Sequence, residues 1–164
     1  MGIEHREGFS PQRHRNTKGS ARNMSKQRDK MISALKTIVF PTVRNIGFQG
    51  SFPHFRRERD GQIDLMMFQF SRWGGGFVVE LGYCPASGYT SLSGERHSPA
   101  KVRVNHLHYR QRLRLGSQPP EIADHWFYYE PDVASVYQDA ALEVLSLLRS
   151  QADLFWKSHE PGFK

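Results

Sequence analysis

The chain has 164 residues, 38% of them hydrophobic, enough for one domain with a core of its own. Its mean hydropathy of −0.62 excludes a membrane span, and its single cysteine, Cys84, excludes an internal disulfide and a cysteine-built zinc site. The formal charge of +7 is uneven: residues 1–30 hold eight Lys or Arg against three acidic residues, the remainder fifteen against thirteen. A high pI therefore describes the front of the chain more than its body.

The opening residues, MGIEHREGFSPQRHR, have no apolar stretch of the kind a secretory signal needs, and with the lone thiol this points to a reducing cytoplasm. Residues 1–24 are poor in large apolar side chains and read as a disordered basic extension, either an arm that follows phosphates or a dispensable leader. Residues 25–160 read as a single α+β domain and 161–164 as a tail. Ser25 is the expected N-cap of the first helix, in which Met31, Leu35, Ile38, Val39, Thr42 and Ile46 share one face. Pro41 predicts a kink or a restart of that helix, and Gly47 its end.

Four extended segments follow. FQGSFPHFRRER runs to Asp60-Gly61, the clearest hairpin signal in the chain, and QIDLMMFQFSRW runs from there to the glycines 74–76. FVVELGYC is the third, and the Gly/Ser/Pro-rich stretch 85–101 is long enough to be functional or mobile. NHLHYRQRLRL, Asn105–Leu115, alternates as a fourth strand, with His106, His108, Arg110, Arg112 and Arg114 on one side and Leu107, Tyr109, Leu113 and Leu115 on the other. An aromatic knot centred on Trp126 leads into a last helix opened by Pro131, apolar from Val133 to Phe155 and long enough, near 40 Å at about 1.5 Å per residue, to predict a break near Ser150-Gln151. The sum is an α+β fold: a largely antiparallel four-stranded sheet with N- and C-terminal helices packed on one face.

The helix ending in RNIGF, the strand FRRERDGQIDLMMFQFS, the FVVELGY strand, the YRQRLRLG segment, HWFYY and the closing helix together resemble the bacterial family called domain of unknown function 4304. The resemblance runs from about Lys26 to Trp156. It implies a small soluble bacterial domain and carries no activity and no catalytic residues.

Chemistry-bearing patterns are sparse. His106 and His108 share a strand side, but their neighbours are arginines, which repel a metal cation, so the pair reads as hydrogen-bonding histidines and not as a metal site. Cys84 has no base beside it in any known motif and reads as a small buried hydrophobe. WGGGF is a hairpin turn, not a phosphate loop. Asp64 and Glu80, on adjacent strands, read as salt-bridge partners of arginine more readily than as a catalytic pair. No catalytic residue and no cofactor is implied, and a small-molecule enzyme ranks last among the readings.

The basic strand carries the functional expectation. Unpaired guanidinium groups cannot be buried, so its even-numbered side must meet water, carboxylates or an anionic partner. Its odd-numbered side would join Ile63, Leu65, Met67, Phe77, Val79 and Leu81 under the helices, which leaves Met66, Phe68 and Phe70 beside the arginines. Arg110, Arg112, Arg114, His106, His108, Phe68 and Phe70 are thus the candidate binding residues. Three uses compete: internal pairing of the arginines with Asp64, Glu80 and Glu58; an interface with an acidic protein or a second copy of the chain; and single-stranded nucleic-acid binding helped by the basic front segment. The leading reading is a non-catalytic binding domain with a protein partner.

Overall fold

In the computed structural model, residues 17–118 and 124–162 are described. Helix α1, Thr17–Ile38, begins eight residues ahead of Ser25, so Thr17–Met24, expected as part of the disordered extension, are helical and Ser25 is an interior residue. The rest of the extension, residues 1–16, lies outside the described residues. The buried line of α1 is Gln27, Met31 and Leu35, continued by Val39 and by Val43 of α2, Phe40–Asn45, a single row of steps of four. Pro41 occupies the first turn of α2, where its missing N–H takes nothing from the helix. Gly47, with φ +97°, ends α2 as expected, while Ile46 stays partly exposed.

The sheet strands are β1 (Gln49–Ser51), β2 (His54–Arg59), β3 (Gln62–Phe70), β4 (Gly76–Pro85), β7 (Arg112–Arg114) and β8 (Phe127–Tyr128), and a small hairpin, β5 (Tyr89–Thr90) with β6 (Arg96–His97), stands apart. The order is β1-β2-β3-β4-β7, β8 also pairs with β4, and every pairing is antiparallel. The segment expected as one strand before Asp60-Gly61 folds back on itself as β1 and β2. Helix α3, Val136–Leu147, passes through one π-helical turn, Leu148–Ala152, into α4, Asp153–Lys157, which puts the break where the length predicted it. Both long helices pack on the same sheet face.

Register decides which side chains share that face. Between β3 and β4 every pair joins an even residue to an odd one, as in Met66 with Leu81 and Phe68 with Val79. Met66, Phe68 and Phe70 therefore lie under the helices beside Phe77, Val79 and Leu81, and Ile63, Leu65 and Met67 face the other way, the reverse of the expected assignment for β3. That outer face is not wet. Val102, Val104 and Leu107 from the stretch after β6 close over Ile63, Leu65, Met67 and Cys84 as a second, smaller core. β3 is thus buried on both faces, which accounts for its near-continuous apolar run.

Only Arg112–Arg114 of the expected fourth strand is a strand. Val104–His106 and Tyr109–Gln111 are single 3₁₀ turns. The histidines are the local cause: His106 Nδ1 accepts from Arg103 N at 3.1 Å, and His108 Nδ1 accepts from Arg110 N at 3.4 Å. These side chains satisfy the backbone in place of a ladder. Leu107 is buried, but in the smaller core away from the helices and not beneath them as expected, and Tyr109, also expected to be inside, is 62% exposed. The aromatic knot likewise has Phe127 and Tyr129 at its buried centre, with Trp126 half-buried. Leu154 is exposed on α4, while Trp156 is fully enclosed.

Candidate functional site: a basic cleft at the sheet edge

The structure separates the expected binding residues. Arg112 and Arg114 do lie on the face away from the helices, and both close on Glu80, at 3.3 and 2.8 Å, with Arg114 also 2.8 Å from Asp124. Arg110 is exposed and bonds the Tyr109 hydroxyl. Phe68, 2% exposed, and Phe70 belong to the helix-side core, where Phe70 stacks on Phe77. An aromatic surface beside the arginines therefore does not form. His106 has left His108 and stacks on His97, ring centroids 3.9 Å apart.

The two carboxylates are also apart. Asp64 and Glu80 point to opposite faces of the sheet and cannot act as a pair. Asp64 is sealed under α4, where one oxygen takes Arg57 Nη2 at 2.7 Å and the other takes Gln62 Nε2 at 2.7 Å. Arg59 Nε lies 2.8 Å from the Arg57-bound oxygen without the alignment of a hydrogen bond, and Arg59 also pairs with Glu160. Gln62 reaches on to the carbonyl of Trp156 at 3.0 Å. The cluster joins β2 to β3 and, through Gln62 and the Arg59–Glu160 pair, ties the C-terminal segment to the sheet, a structural role. Cys84 is equally enclosed: burial above all pushes its thiol up to about 11, opposed by the Arg56 charge and reinforced by Asp64. Among the described residues no three metal donors converge, and no helix is long and apolar enough to cross a membrane.

What the fold does assemble is a cleft of about 850 Å³ at the β1–β2 edge. One wall is Ser51–Arg56, and the facing wall is Ala100–Val104 with His106. Within β1, Gly50 has φ +100° and an added Cβ would lie 2.7 Å from the carbonyl oxygen of His54, so no larger residue fits where β1 and β2 approach before the Phe52-Pro53 turn. Because β2 alternates, His54 and Arg56 face outward into the cleft while Phe55 and Arg57 serve the helix side. Phe52, Pro53, Leu65, Val102 and Val104 give the cleft an apolar lining.

Its charge is one-sided. Arg56, Lys101 and Arg103 line it, and among the described residues no Asp or Glu does. Arg56 is engaged only by Glu58, 3.2 Å away and itself largely exposed. His54 is held below the usual imidazole range, by burial first and then by the Arg103 and His106 charges; its Nδ1 is buried with no partner. His106 is lowered too, by burial and then by His97, against the pull of Glu95, with Arg103 adding to the lowering. Both rings are therefore neutral at neutral pH and the cleft's charge comes from the two guanidiniums and the ammonium. A concave site of this size with a few convergent polar groups is the form small-ligand sites take.

The cleft escaped the sequence reading because its two walls are far apart in the chain. The available signal was local: HFR in His54–Arg56 and KVR in Lys101–Arg103 are each basic residues flanking an apolar one. A second basic surface also emerges. On α1 the exposed Lys18, Arg22 and Lys26 recur at every fourth position, and Asp29 is the helix's one acidic residue. Met24 sits against Gly74, so this stripe borders the β3–β4 turn that carries Arg72 stacked on the 75%-exposed Trp73.

Comparison with known proteins adds one finding. A family model described as Domain of unknown function (DUF4304) matches residues 39–157, which takes in the whole sheet and α3 with α4. No curated protein and no solved structure matches the chain.

Proposed function

We propose that this chain, which belongs to the family described as Domain of unknown function (DUF4304), is a non-catalytic binding domain that takes an anionic partner in the cleft between β1–β2 and Ala100–His106. The observation that carries the reading is the lining itself: Arg56, Lys101 and Arg103 without a carboxylate among them. Same-sign charges brought together in a concave, partly apolar site repel one another, and an anion relieves that repulsion while gaining charge-assisted hydrogen bonds. Arg112 and Arg114, already paired with Glu80 and, for Arg114, Asp124, contribute much less to such binding than the sequence pattern suggested. A reducing cytoplasm suits the free thiol of Cys84. Titrating sulfate and a Glu-rich peptide into isotope-labelled protein should move the amide signals of His54, Arg56 and Lys101–His106, and Lys101→Glu with Arg103→Glu should abolish that movement. Signals unmoved by every anion would remove the reading.

The stripe on α1 favours a second reading, non-specific nucleic-acid binding. Lys18, Arg22 and Lys26 are exposed in a row beside Arg72 and Trp73, a combination that can follow phosphates and stack a base. It predicts affinity for short single strands that falls with salt and drops several-fold when the three α1 residues become alanine. Absence of a gel shift at low salt eliminates it.

A further inference from the structure

The cleft's dimensions and lining narrow the anion, and we infer that its ligand is a small organic phosphate, a phosphate monoester carrying a flat apolar group. This rests on the anion-binding reading above. The three cations line one cleft from two separate stretches, Arg56 from β2 and Lys101 and Arg103 from the segment after β6, an arrangement that suits one compact anion better than an extended acidic chain. A phosphate monoester concentrates about −1.5 to −2 charges on three oxygens near neutral pH, which suits two guanidinium forks and an ammonium better than a single carboxylate does. Inorganic phosphate alone leaves most of the roughly 850 Å³ unfilled and leaves the half-buried Phe52 and Pro53 uncovered. A ring attached to the phosphate covers them, and burying that apolar area adds affinity the charge cannot supply.

Calorimetric titration and amide-signal mapping with phenyl phosphate, adenosine monophosphate, inorganic phosphate and a Glu-rich peptide test the assignment. Phenyl phosphate or adenosine monophosphate should bind at least tenfold more tightly than inorganic phosphate and move the signals of His54, Arg56 and Lys101–His106. Arg103→Ala should weaken that binding tenfold or more, as should Arg56→Ala in a separate variant, each with an unchanged thermal midpoint. Peptide binding at these residues with no response to any phosphate would overturn the inference and leave the broader reading standing. No response to any anion would overturn both. Organic phosphate binding that survives both alanine variants would place the ligand elsewhere and also overturn the inference.

Discussion

Asp64 and Arg57 form the most enclosed ion pair among the described residues: the carboxylate has no solvent exposure, and Arg57 grips one of its oxygens through Nε and Nη2 at 3.0 and 2.7 Å. Arg57 is held in turn by the Ile46 carbonyl and lies over the rings of Phe48 and Trp156. Removing the carboxylate strands two guanidiniums at a closed site. Asp64→Ala should therefore lower stability by about 3–5 kcal/mol, the usual consequence of breaking a buried pair from one side. Urea denaturation measures it, and a loss under about 1 kcal/mol would show the pair to be solvent-relaxed.

Trp156 fastens the end of the C-terminal helix by two independent means. Its ring packs on Phe48, centroids 4.9 Å apart, and its Nε1 donates to the carbonyl of Gly82 at 3.0 Å. Trp156→Phe keeps much of the packing and orphans that carbonyl, a loss of about 1–3 kcal/mol. Trp156→Ala also opens a cavity and should reach about 3–5 kcal/mol. Equal losses in the two variants would mean that the hydrogen bond, not the packing, holds the helix end.

Cys84 should be chemically silent in the folded state. With its thiol pushed up to about 11 and its side chain enclosed, a disulfide reagent at pH 8 should label the protein only as fast as it unfolds, and label one thiol promptly in denaturant. The same shift gives a direction for alkaline stability. The folded thiol holds its proton above the ordinary value of 9.0, so its contribution is fully present below about pH 9 and is lost as pH rises towards 11. Fast labelling of native protein would contradict the enclosure.

The neutral imidazoles at the cleft make the opposite prediction for acid. His54 and His106 are both lowered from 6.5, so the unfolded chain takes up their protons first as pH falls. Their contribution is present above about pH 6.5 and is lost as pH falls through the lower folded values. The groups facing them are Arg103, His97 and Glu95, and only Glu95 opposes the loss. Urea midpoints should decline between pH 6.5 and 5, and His54→Gln with His106→Gln should flatten that decline. An unchanged slope would assign the acid limb to carboxylates.

Local signals carried the sequence reading where they acted over a few residues. Asp60-Gly61, Pro41, Gly47 and the break near Ser150-Gln151, a π turn at Leu148–Ala152, all stand where turn and helix chemistry put them. The α+β class and the gathering of both helices on one face followed from element order. Facing was harder. An alternating strand says that two sides exist but not which one meets the helices, and the β3–β4 register, set by the turn after Phe70, reversed the choice for Phe68 and Phe70. Alternation also misled at Asn105–Leu115, because histidine side chains capping two 3₁₀ turns produce the same spacing as a strand edge. The ion pairs were foreseeable in part: Glu80 took Arg112 and Arg114, as internal pairing had it, whereas Asp64 took Arg57 and Arg59 from its own hairpin. The cleft needed tertiary proximity between residues 51–56 and 100–106, which no periodicity encodes.

The placement of β3 sets how the molecule should breathe. Paired along both edges and covered on both sides, its amides can meet water only when everything around them comes apart, so their hydrogen exchange should report global unfolding. The stretch from β5 to His106 holds on by a handful of apolar side chains and can lift by itself at far lower free energy. One wall of the cleft is made from that stretch and the other from the rim of the sheet. Admission of a ligand can thus be an event of the cover alone, while the interior stays shut.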